Sequence, residues 1–208
     1  MADQGGGDGG ELRPRRSNRL KLKSVATRNV PQNVNSEDGL AIVSILAEAR
    51  MIDIDQEERL IVFNFSRLTK YEVNDEGRII SLGLGLTANE NDYWILSEAI
   101  IKLRSLKELH LRNCGQIPFS LNFPYLTTLA FHNCGDAMLG NSHVWNRIKP
   151  TLTAFGISHP EFVSNNISSM ITSVAKFPYL KALVLVQYGE SGNDMDPLLH
   201  QLQRNGLV

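Results

Sequence analysis

Five times along the chain an apolar residue is followed, three and five positions later, by two more. The triplets are Ile79, Leu82, Leu84; Leu106, Leu109, Leu111; Leu126, Leu129, Phe131; Leu152, Phe155, Ile157; and Leu180, Leu183, Leu185. Their first members lie 27, 20, 26 and 28 residues apart. The words Phe123-Pro124-Tyr125-Leu126 and Phe177-Pro178-Tyr179-Leu180 repeat letter for letter, and each leads into a copy. The last two apolar positions of a copy are two apart. They share one side of an extended strand, because successive side chains alternate faces. No single copy buries that side alone, whereas stacked copies bury it in one continuous core. The pattern predicts about five parallel strands laid side by side.

Other periodicities fill the gaps. Over residues 92–104, Leu96, Ala99, Ile100 and Leu103 fall on one helical face, as do Val163, Ile167, Met170, Ile171 and Val174 over residues 161–176. The 20-residue copy, running through Gly115-Gln116-Ile117-Pro118, is too short and Pro-broken for a full helix. A last short helix begins at Asp196-Pro197-Leu198. Upstream, Ser36 is placed to cap a helix with Glu37 and Asp38 in its first turn, running to about Arg50. Tyr71-Glu72-Val73 and Arg78-Ile79-Ile80-Ser81-Leu82 flank a polar turn ending in Gly77. That arrangement predicts a hairpin covering the first edge of the sheet. Residues 51–70 show no readable period. The expected division is a disordered basic N-terminal tail over 1–35, an N-terminal cap over 36–78, and repeats over 79–208.

The copy Leu106-Lys107-Glu108-Leu109-His110-Leu111-Arg112-Asn113-Cys114 fits the leucine-rich-repeat (LRR) pattern at every fixed position. Over about residues 70–208 the chain resembles that family. The third copy substitutes Phe131 for a leucine. Thr87, Pro160 and Tyr188 stand where the first, fourth and fifth copies would carry Asn or Cys. The resemblance implies an α/β fold, a right-handed LRR solenoid of the plant-type, Cys-containing kind, with a helical and hairpin cap that lacks the capping cysteines. It implies that Cys114 and Cys134 point inward and hydrogen-bond the turn backbone. It also implies a non-catalytic protein–protein interaction module or scaffold that holds another protein on its concave face.

In the predicted register the non-leucine strand positions form three columns on that face. The first is Ser81, Glu108, Thr128, Ala154, Ala182; the central one is Gly83, His110, Ala130, Gly156, Val184; the third is Gly85, Arg112, His132, Ser158, Val186. Polar groups gather on the second and third rungs. Lys107, Glu108, His110, Arg112, Thr128 and His132 are therefore the candidate partner-binding residues. An acid, two imidazoles and a guanidinium also suit acid–base chemistry, so an enzyme using the His110/His132 patch is one alternative. No nucleophile, oxyanion hole or cofactor signature accompanies them, and the expectation is a protein that is not an enzyme and uses no cofactor. Cys114 and Cys134 lack the spacing of a metal finger. Gly83-Leu84-Gly85 lacks the remaining residues of a phosphate loop.

Formal net charge is -1. Residues 1–35 hold seven Arg/Lys against three Asp/Glu, so a tail of +4 precedes a body of -5. The basic run over residues 13–23 makes a nuclear or nucleic-acid-associated adaptor the other alternative, with a weak nucleic-acid contact through those residues. No aromatic residue interleaves the basic ones there. The Gly- and Asp-rich start has no apolar signal-peptide core, and no stretch approaches the roughly 18–20 apolar residues that span a bilayer. The expectation is an intracellular protein, cytoplasmic or nuclear, without membrane contact. Two cysteines are too few for a disulfide framework.

Overall fold

The computed structural model describes residues 22–23, 30–49, 70–85, 93–118, 123–134, 151–159, 173–174 and 177–187. The tail up to residue 21, residues 51–69, the return over 161–172 and the last helix from Asp196 lie outside the described residues.

Helix α1 spans Ser36–Glu48. Its cap is Asn35 and not Ser36: the Asn35 carboxamide oxygen accepts from the Glu37 N–H at 3.0 Å, and Ser36 is already helical. Asn35 is fixed in that role by its own N–H, which donates to the Gly77 carbonyl at 2.7 Å. Ala41, Ile42, Val43, Ile45 and Leu46 are buried. Leu22 and Val30 also pack against the core, so ordered packing reaches upstream of Ser36 into the expected tail.

Strands β1 (Lys70–Val73) and β2 (Ile79–Gly85) pair antiparallel, forming the expected hairpin. Asn74 shapes the turn, its side-chain oxygen accepting from the Glu76 and Arg78 N–H groups at 3.1 and 2.9 Å. Gly77 adopts φ 72, and a Cβ there would lie 2.7 Å from the Asn33 carbonyl oxygen. Only glycine meets both conditions without strain.

Next come β3 (Trp94–Ile95), β4 (Glu108–Arg112), β5 (Cys114–Gln116), β6 (Thr128–His132), β7 (Ala154–His159) and β8 (Ala182–Gln187). The main sheet has six strands in the order β1-β2-β4-β6-β7-β8. After the antiparallel β1–β2 pair every contact in it is parallel. β3 and β5 form a separate parallel pair. The fold is thus mixed α/β, with one α-helix of defined extent among the described residues and a mostly parallel sheet.

The helix expected over residues 92–104 is replaced by β3 and a 3-10 helix, Glu98–Lys102. The Trp94 and Leu96 N–H groups donate to the Asn113 and Gln116 carbonyls at 3.1 and 2.9 Å, which holds residues 94–96 extended. The Ser97 hydroxyl then accepts from the Ala99 N–H at 3.0 Å and starts a tight turn. Leu96, Ala99, Ile100 and Leu103 are nonetheless all buried. The apolar spacing identified the core-facing side chains but not the helix type, since a three-residue turn presents much the same set.

Register follows the sequence triplets. Leu82, Leu109, Leu129, Phe155 and Leu183 align across consecutive strands, as do Leu84, Leu111, Phe131, Ile157 and Leu185. All but Leu183 and Leu185 are buried. The larger rings in the middle rungs meet edge to face, with the Phe131 and Phe155 centroids 5.8 Å apart. On the last strand Leu185 is 43% exposed.

Candidate functional site

The same register builds the three columns on the other face. Ser81 aligns with Glu108, Thr128, Ala154 and Ala182; Gly83 with His110, Ala130, Gly156 and Val184; Gly85 with Arg112, His132, Ser158 and Val186. Strand pairing therefore brings Glu108, His110, Arg112, Thr128 and His132 onto two neighbouring strands. Their exposure differs sharply. Lys107, just ahead of β4, is exposed, and Glu108 and Arg112 are half-buried. His110, Thr128 and His132 are buried, the two imidazoles only 5% and 2% exposed. Ser81 and Ser158 are buried too, and Ala130, Ala154, Ala182 and Val184 form a second apolar cluster joined by Val186. A face read from sequence as a polar wall is thus largely buried, with the small side chains of neighbouring rungs packed against one another.

Burial dictates the chemistry of the titratable groups. His110 loses hydration, and the positive Lys70 on β1 adds to that, bringing its imidazole down to about 4. Its Nδ1 has no hydrogen-bond partner among the described residues. The ring is therefore neutral at neutral pH. Glu108 is pushed above the usual carboxylate range by burial, with Glu72 adding to the shift and a hydrogen bond to Ser81 opposing it. The arrangement combines a neutral imidazole, a carboxyl that holds its proton longer than usual and a half-buried guanidinium.

At the C-terminal ends of β4 and β6 the backbone turns through two left-handed residues, Asn113 at φ 53 and Asn133 at φ 47. Asparagine tolerates that region better than other L-residues. The two side chains join the rungs, Asn133 Nδ2 donating to Asn113 Oδ1 at 3.0 Å. The next residues are the cysteines. Cys114 Sγ donates to the Gln116 carbonyl at 3.3 Å and Cys134 Sγ to the Leu111 carbonyl at 3.4 Å. Both thiols are free and buried. Burial pushes Cys114 up to about 12 and Cys134 well above its ordinary value. Both thiols are held protonated by burial, which makes them poor nucleophiles. Among the described residues no group of three or more His, Cys, Asp or Glu side chains could hold a metal ion. Trp94 is buried at the same end, its indole N–H donating to the Arg112 carbonyl at 2.7 Å.

The opposite ends of the strands form a second edge. There the Thr127 N–H donates to the Lys107 carbonyl at 2.8 Å, Thr153 N–H to Thr127 at 2.8 Å, and Lys181 N–H to Thr153 at 2.7 Å. The Thr127 and Thr153 hydroxyls donate along the same line, at 3.2 and 3.1 Å. Two positions ahead of Thr127 and Lys181 stand Tyr125 and Tyr179, 62% and 61% exposed. The repeated Phe-Pro-Tyr-Leu word was visible in the sequence. Its phenylalanines and Leu126 serve the core, while its tyrosines face solvent, a distinction the word alone does not carry.

Comparison of the chain with protein-family models, with curated proteins and with solved structures finds no match. Among the described residues no helix is long and apolar enough to cross a membrane.

Proposed function

We propose that the chain is a leucine-rich-repeat solenoid acting as a non-catalytic module that holds another protein. One observation carries the reading: β2, β4, β6, β7 and β8 lie side by side in chain order, all parallel, with every copy of the apolar triplet in the same register. A sheet that grows by one rung per repeat offers an extended surface, the geometry repeat proteins use for partners. The inward placement of the thiols at Cys114 and Cys134 supports the same reading, although they bond strand carbonyls, those of Gln116 and Leu111, and not the turn backbone that the resemblance implies. The contact is centred on the second rung. Lys107, Glu108 and Arg112 are its reachable members, and His110, Thr128 and His132 form the floor beneath them. Arg112 is the main anchor, since its planar fork makes paired hydrogen bonds and interfaces favour arginine.

The test is affinity capture with the full chain, identification by mass spectrometry, and titration of the purified partner. Glu108→Ala combined with Arg112→Ala is expected to weaken binding at least tenfold, with an unchanged far-UV circular dichroism spectrum. Glu48→Ala, on the exposed end of α1, is expected to leave binding intact. The reverse pattern would show that the sheet does not carry the contact.

A further inference from the structure

The main sheet has two outer edges, and they are built differently. At one end stands β1, with exposed Lys70 and Glu72. Charged side chains on an edge strand discourage another strand from pairing there. At the other end stands β8, Ala182-Leu183-Val184-Leu185-Val186-Gln187, with no charged residue, no proline and no glycine. Its outer side has no strand partner among the described residues. The apolar column that runs through Leu84, Leu111, Phe131 and Ile157 is buried on every earlier rung, yet its member on β8, Leu185, is 43% exposed. An uncharged edge strand with an exposed core-side leucine is a template for a further strand.

The backbone sets which groups are offered. The Ala182 N–H donates inward, to the Thr153 carbonyl at 3.1 Å. Backbone groups alternate in direction along a strand, so those of Val184 also face β7, and those of Leu183 and Leu185 face the outer edge.

The symmetry of a self-paired seam then selects the register. Two copies of one strand pair antiparallel about a two-fold axis perpendicular to the sheet, the closed arrangement of a dimer. That axis keeps both core faces on the same side, so each residue must oppose one an even number of positions away. With Val184 on the axis, Leu183 opposes Leu185 of the second copy, and Ala182 opposes Val186. The two leucine pairs exchange the outward-facing backbone bonds and cover each other's core-side chains. With Leu185 on the axis, Leu183 would oppose the polar position 187 instead. Pairing β8 with β1 of another copy would set the uncharged strand beside Lys70 and Glu72. The match of β8 to itself is thus a property of its own sequence and register. We infer that β8 pairs with β8 of a second copy of the chain, antiparallel, with Val184 on the two-fold axis. A single-strand seam is small beside the roughly 800 Å² per partner of a standard interface, so this dimer dissociates on dilution. It lies three strands from β4 and leaves Lys107, Glu108 and Arg112 uncovered.

Sedimentation velocity of the full chain, from low to high micromolar concentration, tests the pairing. A monomer–dimer equilibrium is expected. Leu185→Lys sets a cation against Leu183 of the second copy twice per dimer and is expected to weaken association at least tenfold. Leu185 is partly exposed, and circular dichroism checks that the variant stays folded. Cross-linking reads the register separately. On the axis, the two Val184 Cα atoms form a non-hydrogen-bonded pair about 4.5 Å apart, within disulfide reach. The two Val186 positions lie about 13 Å apart, four residues along the strand. Under a mild oxidant such as diamide, Val184→Cys is expected to form a covalent dimer at least fivefold faster than Val186→Cys. Cys114 and Cys134 are 0% and 1% exposed and stay out of the reaction. A wild-type chain that stays monomeric throughout the range overturns the inference, including one whose captured partner is lost on Leu185→Lys, which would assign the edge to a strand of another protein. Unchanged association of Leu185→Lys overturns it too, as does equal cross-linking of the two cysteine variants. Growth into open-ended oligomers, the outcome of pairing β8 with β1, does the same.

Discussion

His110 sits in the middle of β4 with its ring out of water and Nδ1 without a partner among the described residues. A proton placed on it is poorly solvated and faces Lys70. The groups around it pull in different directions: Glu108 and Arg112 flank it on its own strand, Lys70 and Glu72 lie on β1, and His132 on β6. An unfolded imidazole titrates near 6.5, whereas the folded one titrates at about 4. Between those values the unfolded chain binds more protons than the folded one. Stability is therefore full above about pH 6.5, falls as pH drops through the window and levels off below about 4, a loss on the order of 3 kcal/mol. Glu108 acts with the opposite sign, because its raised folded value lets the folded state take up a proton first as pH falls. Urea midpoints between pH 7 and 4 check this. The acid-side decline is expected in the wild type and should vanish in His110→Leu, leaving the weaker, opposite slope of Glu108. The same decline in both proteins would place its origin elsewhere. Residue identity at this position was plain in the sequence and its titration was not, because the shift comes from what surrounds the ring. Asn113 and Asn133 are the converse case. Their left-handed backbone and mutual bond were foreshadowed by the recurring Asn-Cys pair, of which only the cysteine drew a role.

At the scale of elements, the joint between α1 and β2 is built around one buried carboxylate. Asp38 accepts from the Ile79 N–H at 2.8 Å and from Arg78 Nη1 at 2.9 Å. Arg78 also holds Glu37 through both Nη1 and Nη2 at 3.0 Å. Asp38 is fully buried while the Glu37 side chain is 74% exposed, so two acids on one cation have different weights. Asp38→Ala leaves a buried N–H unbonded and the guanidinium without its inner partner, a loss of about 3–5 kcal/mol. Glu37→Ala removes an exposed contact and is expected to cost less than about 1 kcal/mol. Thermal unfolding of the two variants gives the comparison, and equal shifts would show that α1 is not anchored through Asp38. From sequence, Glu37 and Asp38 read alike as favourable acids in a first turn. Only the approach of β2 separates them, across forty residues of chain. The short β3 and the 3-10 helix carry the same lesson, since the strand pairing of Trp94 with Cys114 overrides a helical apolar period.

Across the whole molecule, β6 is an enclosed strand, with neighbours on both sides and all five residues buried. β1 is an edge strand whose residues alternate between exposed and half-buried. Amide hydrogen exchange followed by mass spectrometry is expected to show peptides covering β1 exchanging well before those covering β6, because edge strands open without breaking the core. Protection of β1 equal to that of β6 would mean the sheet opens as one unit. The strand order and the register were legible in the chain because the triplet recurs, and a repeated apolar triplet leaves one alignment that stacks the apolar positions of every copy on the same side. A slip of one residue would turn Leu109 and Leu111 out of the core. What only the tertiary structure decided is which polar positions meet water. The period of a strand assigns Lys107, Glu108, His110, Arg112, Thr128 and His132 to their places in the sheet, yet says nothing of how far each is buried there. Burial there depends on contacts between segments distant in sequence, and a local period holds no information about them. The same limit applies to Tyr125 and Tyr179. Their exposure follows from strand ends being aligned by a backbone ladder, a property of the assembled sheet and of no single repeat.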